Sequence, residues 1–234
     1  MRPIATHGRW PWGLILALLA LDGLLIAVNL FGAPAFLDLD QEMNFPTWYS
    51  SAKLLGSAWA ALWCMKLEPP ARRRGWNRLV WPAVALLFLA LSMDETATAH
   101  ERLSALIMSG GWGGSLRQRL LGGDATKGAF AWPVLFGPLI LALLYFLAAA
   151  LYSRMKQSRL SLVLGLSGCA AFLAAVVLEG PAVYFSPPIE TWGAAETARY
   201  SNWAKLEESA EVVGATLMLA SLLLYADRRL GPPS

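Results

Sequence analysis

Six apolar stretches, at about 11–32, 47–65, 79–97, 130–152, 159–180 and 208–226, recur along the 234-residue chain. Each comes close to the roughly 20 apolar residues needed to cross a bilayer core about 30 Å thick. A backbone inside hydrocarbon must satisfy its own hydrogen bonds, and a run of this length does so as a helix. The runs predict an all-α polytopic membrane helix bundle of about six transmembrane helices, forming one domain over 1–234. Only 15% of the residues are charged, against about 25% in soluble domains, which excludes an ordinary soluble fold. Trp12, Trp48, Trp63, Trp81 and Trp132 stand near the ends of the runs, where indole rings favour the headgroup region. No internal repeat or low-complexity linker divides the chain. Arg2, Arg9 and Ala33-Pro34-Ala35 imitate parts of a signal peptide. The run from Pro11 to Phe31 outlasts the roughly 7–15 apolar residues of such a peptide, so a retained first helix is expected.

A net charge of +3 and a pI near 9.0 do not indicate nucleic acid, because the basic residues form short clusters between apolar runs. The N-terminus, the 66–78 loop, the 153–159 turn and the tail hold 12 of the 19 Lys and Arg residues, with only Glu68 and Asp227 as acids. The other side holds the remaining 7 basic residues and 13 of the 16 acids. The positive-inside rule then predicts that both termini are cytoplasmic. Acids barely influence topology, so their asymmetry asks for a separate cause. Cys64 and Cys169 fall inside runs without CxxC spacing and read as small buried apolar residues.

The acids gather where runs end. LSMDETATAHERL (91–103) closes the third run, Glu179 closes the fifth, Glu207-Glu208-Ser-Ala-Glu211 opens the sixth, and Asp38, Asp40 and Glu42 follow the first. Four segments thus bring carboxylates to a similar depth as an outer collar. On a continuous helix at about 100° per residue, Asp94, Thr98 and Glu101 share a face, while Glu95 and His100 stand about 140° apart. Glu208 and Glu211 are i, i+3, and Glu207 and Glu211 are i, i+4, so two of the three can converge. Like charges held together near apolar surroundings call for cations, a shared proton or a metal. Carboxylates with one imidazole suit a divalent ion such as Ca²⁺, Mn²⁺, Fe²⁺ or Zn²⁺. The candidate ligands are Asp94, His100, Glu101, Glu208 and Glu211, with Glu95 or Glu207 as general base. Neither Glu-x-x-His nor HExxH occurs here. The bland alternative is a solvated rim in which Arg102, Arg199 and Lys205 pair with these acids.

Asp22, in ALLALDGLLIAV, is an intramembrane acid and so a functional candidate. Its ordinary explanation is a hydrogen bond to Ser, Thr, Tyr or Asn, with Gly23 admitting a neighbouring helix; no cation stands clearly at its depth. GxSxG, P-loop, GxGxxG and CxxCH motifs are absent, which removes the usual nucleophilic, nucleotide and haem signatures.

With LDLDQE…FPTW, LSMDETATAHERL and LEESAEVVGATLMLASLLLYA in place, the chain resembles a group of uncharacterised bacterial multi-pass membrane proteins. These carry a DE-x4-HE segment at the end of one span and a glutamate pair opening the last. Asp94, Glu95, His100, Glu101, Glu207, Glu208 and Glu211 match that pattern. The resemblance implies the architecture and no activity.

Three functions fit. The first is a metal-dependent enzyme acting on a lipid-phase substrate at the outer face. The second is a non-catalytic subunit of a respiratory or photosynthetic complex, contacting other membrane subunits through its outer loops. The third is a cation or proton transporter, which paired repeats or broken helices would favour. The lipid bilayer is a partner in all three, and nucleic acid in none.

Overall fold

The computed structural model describes residues 10–41, 43–70, 75–110, 113–115, 118–119, 131–184 and 191–230. Glu42, one of the acids after the first run, lies outside them. The described elements are helical: α1 (Trp10–Leu30), α2 (Phe45–Leu67), α3 (Val80–Ala97), α4 (Ala99–Ser109), α5 (Trp132–Met155), α6 (Arg159–Tyr184) and α7 (Ala194–Leu230). Single 3-10 turns span Ala35–Leu37 and Gly75–Leu79.

Five segments are long and apolar enough to cross a membrane: Pro11–Leu30, Gly75–Ala97, Trp132–Met155, Arg159–Glu179 and Ala194–Leu230. The second run, now α2, is not among them, although its 23 residues would extend about 35 Å. Its face pattern accounts for the difference. Ser50, Ser51, Lys53 and Ser57 are buried against the other helices. Trp48, Ala52, Leu55, Trp59 and Leu62 form an exposed stripe at i, i+4 and i+3 spacing. The helix is polar inward and apolar outward, so average hydropathy understates it. Two of these hydroxyls are paired: Ser51 Oγ donates to Ser92 O at 2.9 Å, with Ser92 Oγ donating to Ser51 O at 3.0 Å, and Ser57 Oγ donates to Lys53 O at 2.9 Å.

α7 is the central element. Thirteen of its residues between Val212 and Ala226 are buried, and it packs on α6, α2 and α1. No proline interrupts it. Glu196 stands in its first turn and Arg228 and Arg229 in its last, charges that suit the helix dipole. At 37 residues, or about 55 Å, it outruns a hydrocarbon core. The chain over 181–207, read from sequence as a loop, is therefore mostly the end of α6 and the leading turns of α7. α6 meets α7 through small residues: a Cβ on Gly168 would stand 3.1 Å from Gly214 O and 3.0 Å from Met218 Cγ. Such residues let helices approach where apolar burial gives little drive. Gly23 does not play this part, since nothing lies within 4 Å of its would-be Cβ.

The six long helices alternate in direction, as contacts at both ends show. At one end Glu68 after α2, Asn77 before α3 and Arg154 at the close of α5 meet. Arg154 Nη1 reaches both Glu68 carboxylate oxygens, at 3.2 and 3.0 Å, and Nη2 donates to Asn77 O at 2.9 Å. At the other end the chain after α1 folds back. Asn29 Nδ2 donates to Leu37 O, and Leu39 N donates to Asn29 Oδ1, each at 2.9 Å. Asn44 then caps α2 through Thr47 N. This second end carries the acids. Cys64 and Cys169 are free and buried.

Candidate metal centre

The geometry of the acid-bearing end begins with a break. α3 stops at Thr98, which adopts φ +46° in the left-handed region, and α4 starts at the next residue. A continuous helix does not form here, so the face shared by Asp94, Thr98 and Glu101, and the 140° between Glu95 and His100, do not apply. Asp94 instead covers the start of α4. Its Oδ1 accepts the His100 backbone N–H at 3.0 Å, and its Oδ2 lies 2.7 Å from His100 Nδ1. The imidazole also meets the Trp132 ring edge-on, with centroids 4.6 Å apart. Burial works against a charged imidazole here. The hydrogen bond and charge of Asp94 oppose it, joined by the charges of Glu101 and Glu211, and they hold His100 above the ordinary histidine range.

Beside this dyad, α3 and α7 bring three carboxylates together. One oxygen each from Glu95, Glu208 and Glu211 lie within 4.8 Å of one another. Ligand oxygens at about 2.3–2.6 Å from a Ca²⁺ can stand up to about 5 Å apart, so this spacing matches a shared ion. They border a cavity of about 110 Å³, room for an ion with coordinated water. Eight carboxylates line it, those of Asp40, Asp94, Glu95, Glu101, Glu179, Glu207, Glu208 and Glu211, together with His100 and Tyr200. No lysine or arginine stands among the described residues of that lining.

The remaining acids are tied into the wall. Glu207 on α7 is hydrogen-bonded to Glu179 on α6. Asp40 is hydrogen-bonded to Ser201, and burial raises its carboxyl above the usual range against the lowering effect of that bond. Of the basic residues that a solvated rim would use, Arg102 Nε donates to Thr98 Oγ1 at 3.2 Å and Arg199 is exposed, while the charge of Lys205 acts on Asp40 as such a rim would have it.

Of the sequence-derived ligands, Glu208 and Glu211 thus converge, joined by Glu95, while Asp94 and His100 pair with each other and Glu101 lines the same cavity. Asp22 has a partner that sequence reasoning missed. Lys53 Nζ lies 3.1 Å from Asp22 Oδ1, and the two side chains are 2% exposed. Tyr49 OH donates to the same oxygen at 2.7 Å, the kind of hydrogen bond expected for Asp22. Lys53, reckoned above with the outer cations, lies inside α2. A signal was available: Asp22 and Lys53 each stand eight residues from the same end of their helices, and lone opposite charges at one depth tend to pair. Lys53 Nζ also donates to Val212 O at 2.6 Å, the residue after Glu211. Asp22 is therefore linked through Lys53 to the α7 backbone beside Glu211.

The whole arrangement, from α1 to the end of α7, falls within one family. A model described as a domain of unknown function, DUF8692, matches residues 11–226. The chain belongs to that family. No curated protein and no solved structure matches it.

Proposed function

We propose that this family member binds a divalent cation at the carboxylate-lined end of its bundle and uses it in metal-assisted hydrolysis of a lipid-phase substrate. The observation that carries the reading is the meeting of Glu95, Glu208 and Glu211 oxygens from two helices within 4.8 Å. Three oxygen donors favour a hard ion such as Ca²⁺ or Mn²⁺, and a nearby imidazole widens the range to Fe²⁺ and Zn²⁺. The rim supports a lipid-phase substrate. Phe36, Met43, Phe45 and Trp48 are exposed beside the lining residues Asp40, Gln41 and Thr47.

In this reading Glu95, Glu208 and Glu211 would hold the ion, which would supply Lewis-acid activation of water and of the bond under attack. With Glu95 among the ligands, Glu207 is the general base of the two first considered, since it lines the same cavity. All six long helices cross a bacterial cytoplasmic membrane, with this end outside and both termini within. The 12 basic residues on the opposite side set that orientation.

Metal content tests the reading. Protein purified in detergent without added metal is expected to retain about one equivalent, and the Glu208→Gln/Glu211→Gln double variant to lose it at unchanged helix content. Metal-loaded protein mixed with bacterial lipid extract should release headgroup or acyl products, and chelated protein should not. Failure of the parent to hold Ca²⁺, Mn²⁺, Fe²⁺ or Zn²⁺ after reloading would sink the proposal.

A further inference from the structure

We propose that Lys53, clamped between Asp22 on α1 and the Val212 carbonyl on α7, is the fixed positive charge that sets how tightly the carboxylate cavity holds a divalent cation. This inference rests on the reading of that cavity as a cation site.

Lys53 is 3% exposed, its ammonium 3.1 Å from Asp22 Oδ1 and 2.6 Å from Val212 O. The face of Tyr49 lies 4.0 Å away. A buried ammonium held by one carboxylate, one carbonyl and one ring cannot be screened by solvent, so its field extends into its surroundings. Those surroundings include the cavity wall: Val212 follows Glu211 directly on α7, and the charge of Glu95 acts on Lys53. The ammonium thus feels the charge of Glu95, one of the three converging carboxylates, and holds the carbonyl of the residue after Glu211, without lining the cavity.

The position has two consequences. With the cavity empty, Lys53 partly compensates carboxylates that would otherwise repel one another. With a divalent cation bound, the same charge opposes it, and Asp22 limits that opposition by holding the ammonium on the far side. Tyr49 and Lys53 share Asp22 Oδ1, while Oδ2 has no hydrogen-bond partner among the described residues. A buried pair kept only for packing would make α1, α2 and α7 cohere. A pair that tunes the site makes the two side chains act on ion affinity with opposite signs.

The experiment is Mn²⁺ titration of the chelator-treated full chain in detergent, read by electron paramagnetic resonance. It compares the parent with Lys53→Met, Lys53→Gln, Asp22→Asn and the Asp22→Asn/Lys53→Met double variant. Removing one unit charge at this range from a doubly charged ion predicts a change of about fivefold or more in Kd. Lys53→Met and Lys53→Gln should tighten binding, Asp22→Asn should weaken it, and the double variant should return near the parent. Weaker binding in both kinds of single variant is what a purely structural pair gives, and it overturns the proposal, as does unchanged affinity throughout. Should both Lys53 single variants fail to fold, Asp22→Asn and the neutralised pair Asp22→Asn/Lys53→Met decide together: fivefold weakening in Asp22→Asn that the double variant restores upholds the proposal, and weakening in both, or unchanged affinity, rejects it. A parent that binds no Mn²⁺, Ca²⁺, Zn²⁺ or Fe²⁺ refutes the cation site itself, a different outcome from a parent that binds while its variants match it.

Discussion

The Asp94–His100 contact joins two side chains across a helix break, and its 2.7 Å length makes it a charge-assisted hydrogen bond when the imidazole is protonated. The folded protein binds that proton more readily than the unfolded chain does, since His100 lies above its ordinary range. Its contribution to stability is therefore fully present below about pH 6.5, the ordinary histidine value. It is lost as pH rises through the higher folded value. Asp94→Asn should lower the His100 titration by about one pH unit or more, the effect of removing an adjacent opposite charge. Ring-proton NMR of chelator-treated protein would show it, because His7 is the one other histidine. The unfolding midpoint of the parent should exceed that of the variant most at pH 6 and least above the folded value. A variant that titrates like its parent would remove Asp94 from this role. The sequence located both residues but not their pairing, because the left-handed turn at Thr98 carries no glycine to announce it. For a β-branched residue such a turn is rare.

At the scale of elements, α6 approaches α7 closely at Gly168. Gly168→Val would place side-chain carbon within 3.1 Å of Gly214 O and Met218, and overpacking of this kind costs about 1–3 kcal/mol. Thermal unfolding in detergent should show that loss, whereas Gly23→Val, with nothing within 4 Å, should leave the midpoint unchanged within about 0.5 kcal/mol. Equal midpoints for the two variants would mean that the helices do not meet closely at Gly168. The contrast also shows what sequence can and cannot convey here. Apolar runs fixed all six long helices to within a few residues, except that α7 starts fourteen residues before the expected boundary at 208. Charged and polar residues in its leading turns hid that helix from a search for apolar length. Which glycine faces a neighbour was not legible, because α1 touches the bundle along one stripe, through Ile15, Asp22, Leu25 and Asn29, and Gly23 falls outside it. The carboxylates at the acid-bearing end were legible from their positions at run ends. Their division into Glu95–Glu208–Glu211 and Asp94–His100 depended on the break after α3.

For the molecule as a whole, the question is what α2 does to the path of the chain. It is the one long helix between Gln41, exposed at the cavity, and Trp76, 87% exposed at the opposite end. If its inward polarity and outward apolar stripe mark a true span, those two positions lie on opposite faces of the membrane, although α2 alone falls short in hydropathy. The native thiols are buried and so leave a nearly silent background for labelling. In intact bacterial spheroplasts, Gln41→Cys should react with a membrane-impermeant maleimide. Trp76→Cys should react only after permeabilisation, since its loop carries the basic run Arg72-Arg73-Arg74 that the positive-inside rule keeps in the cytoplasm. Labelling of both positions from one side would mean that α2 does not cross, leaving five spans and the termini on opposite faces. Reversed labelling would keep six spans and turn the carboxylate-lined cavity toward the cytoplasm, so its substrates would have to come from the inner leaflet.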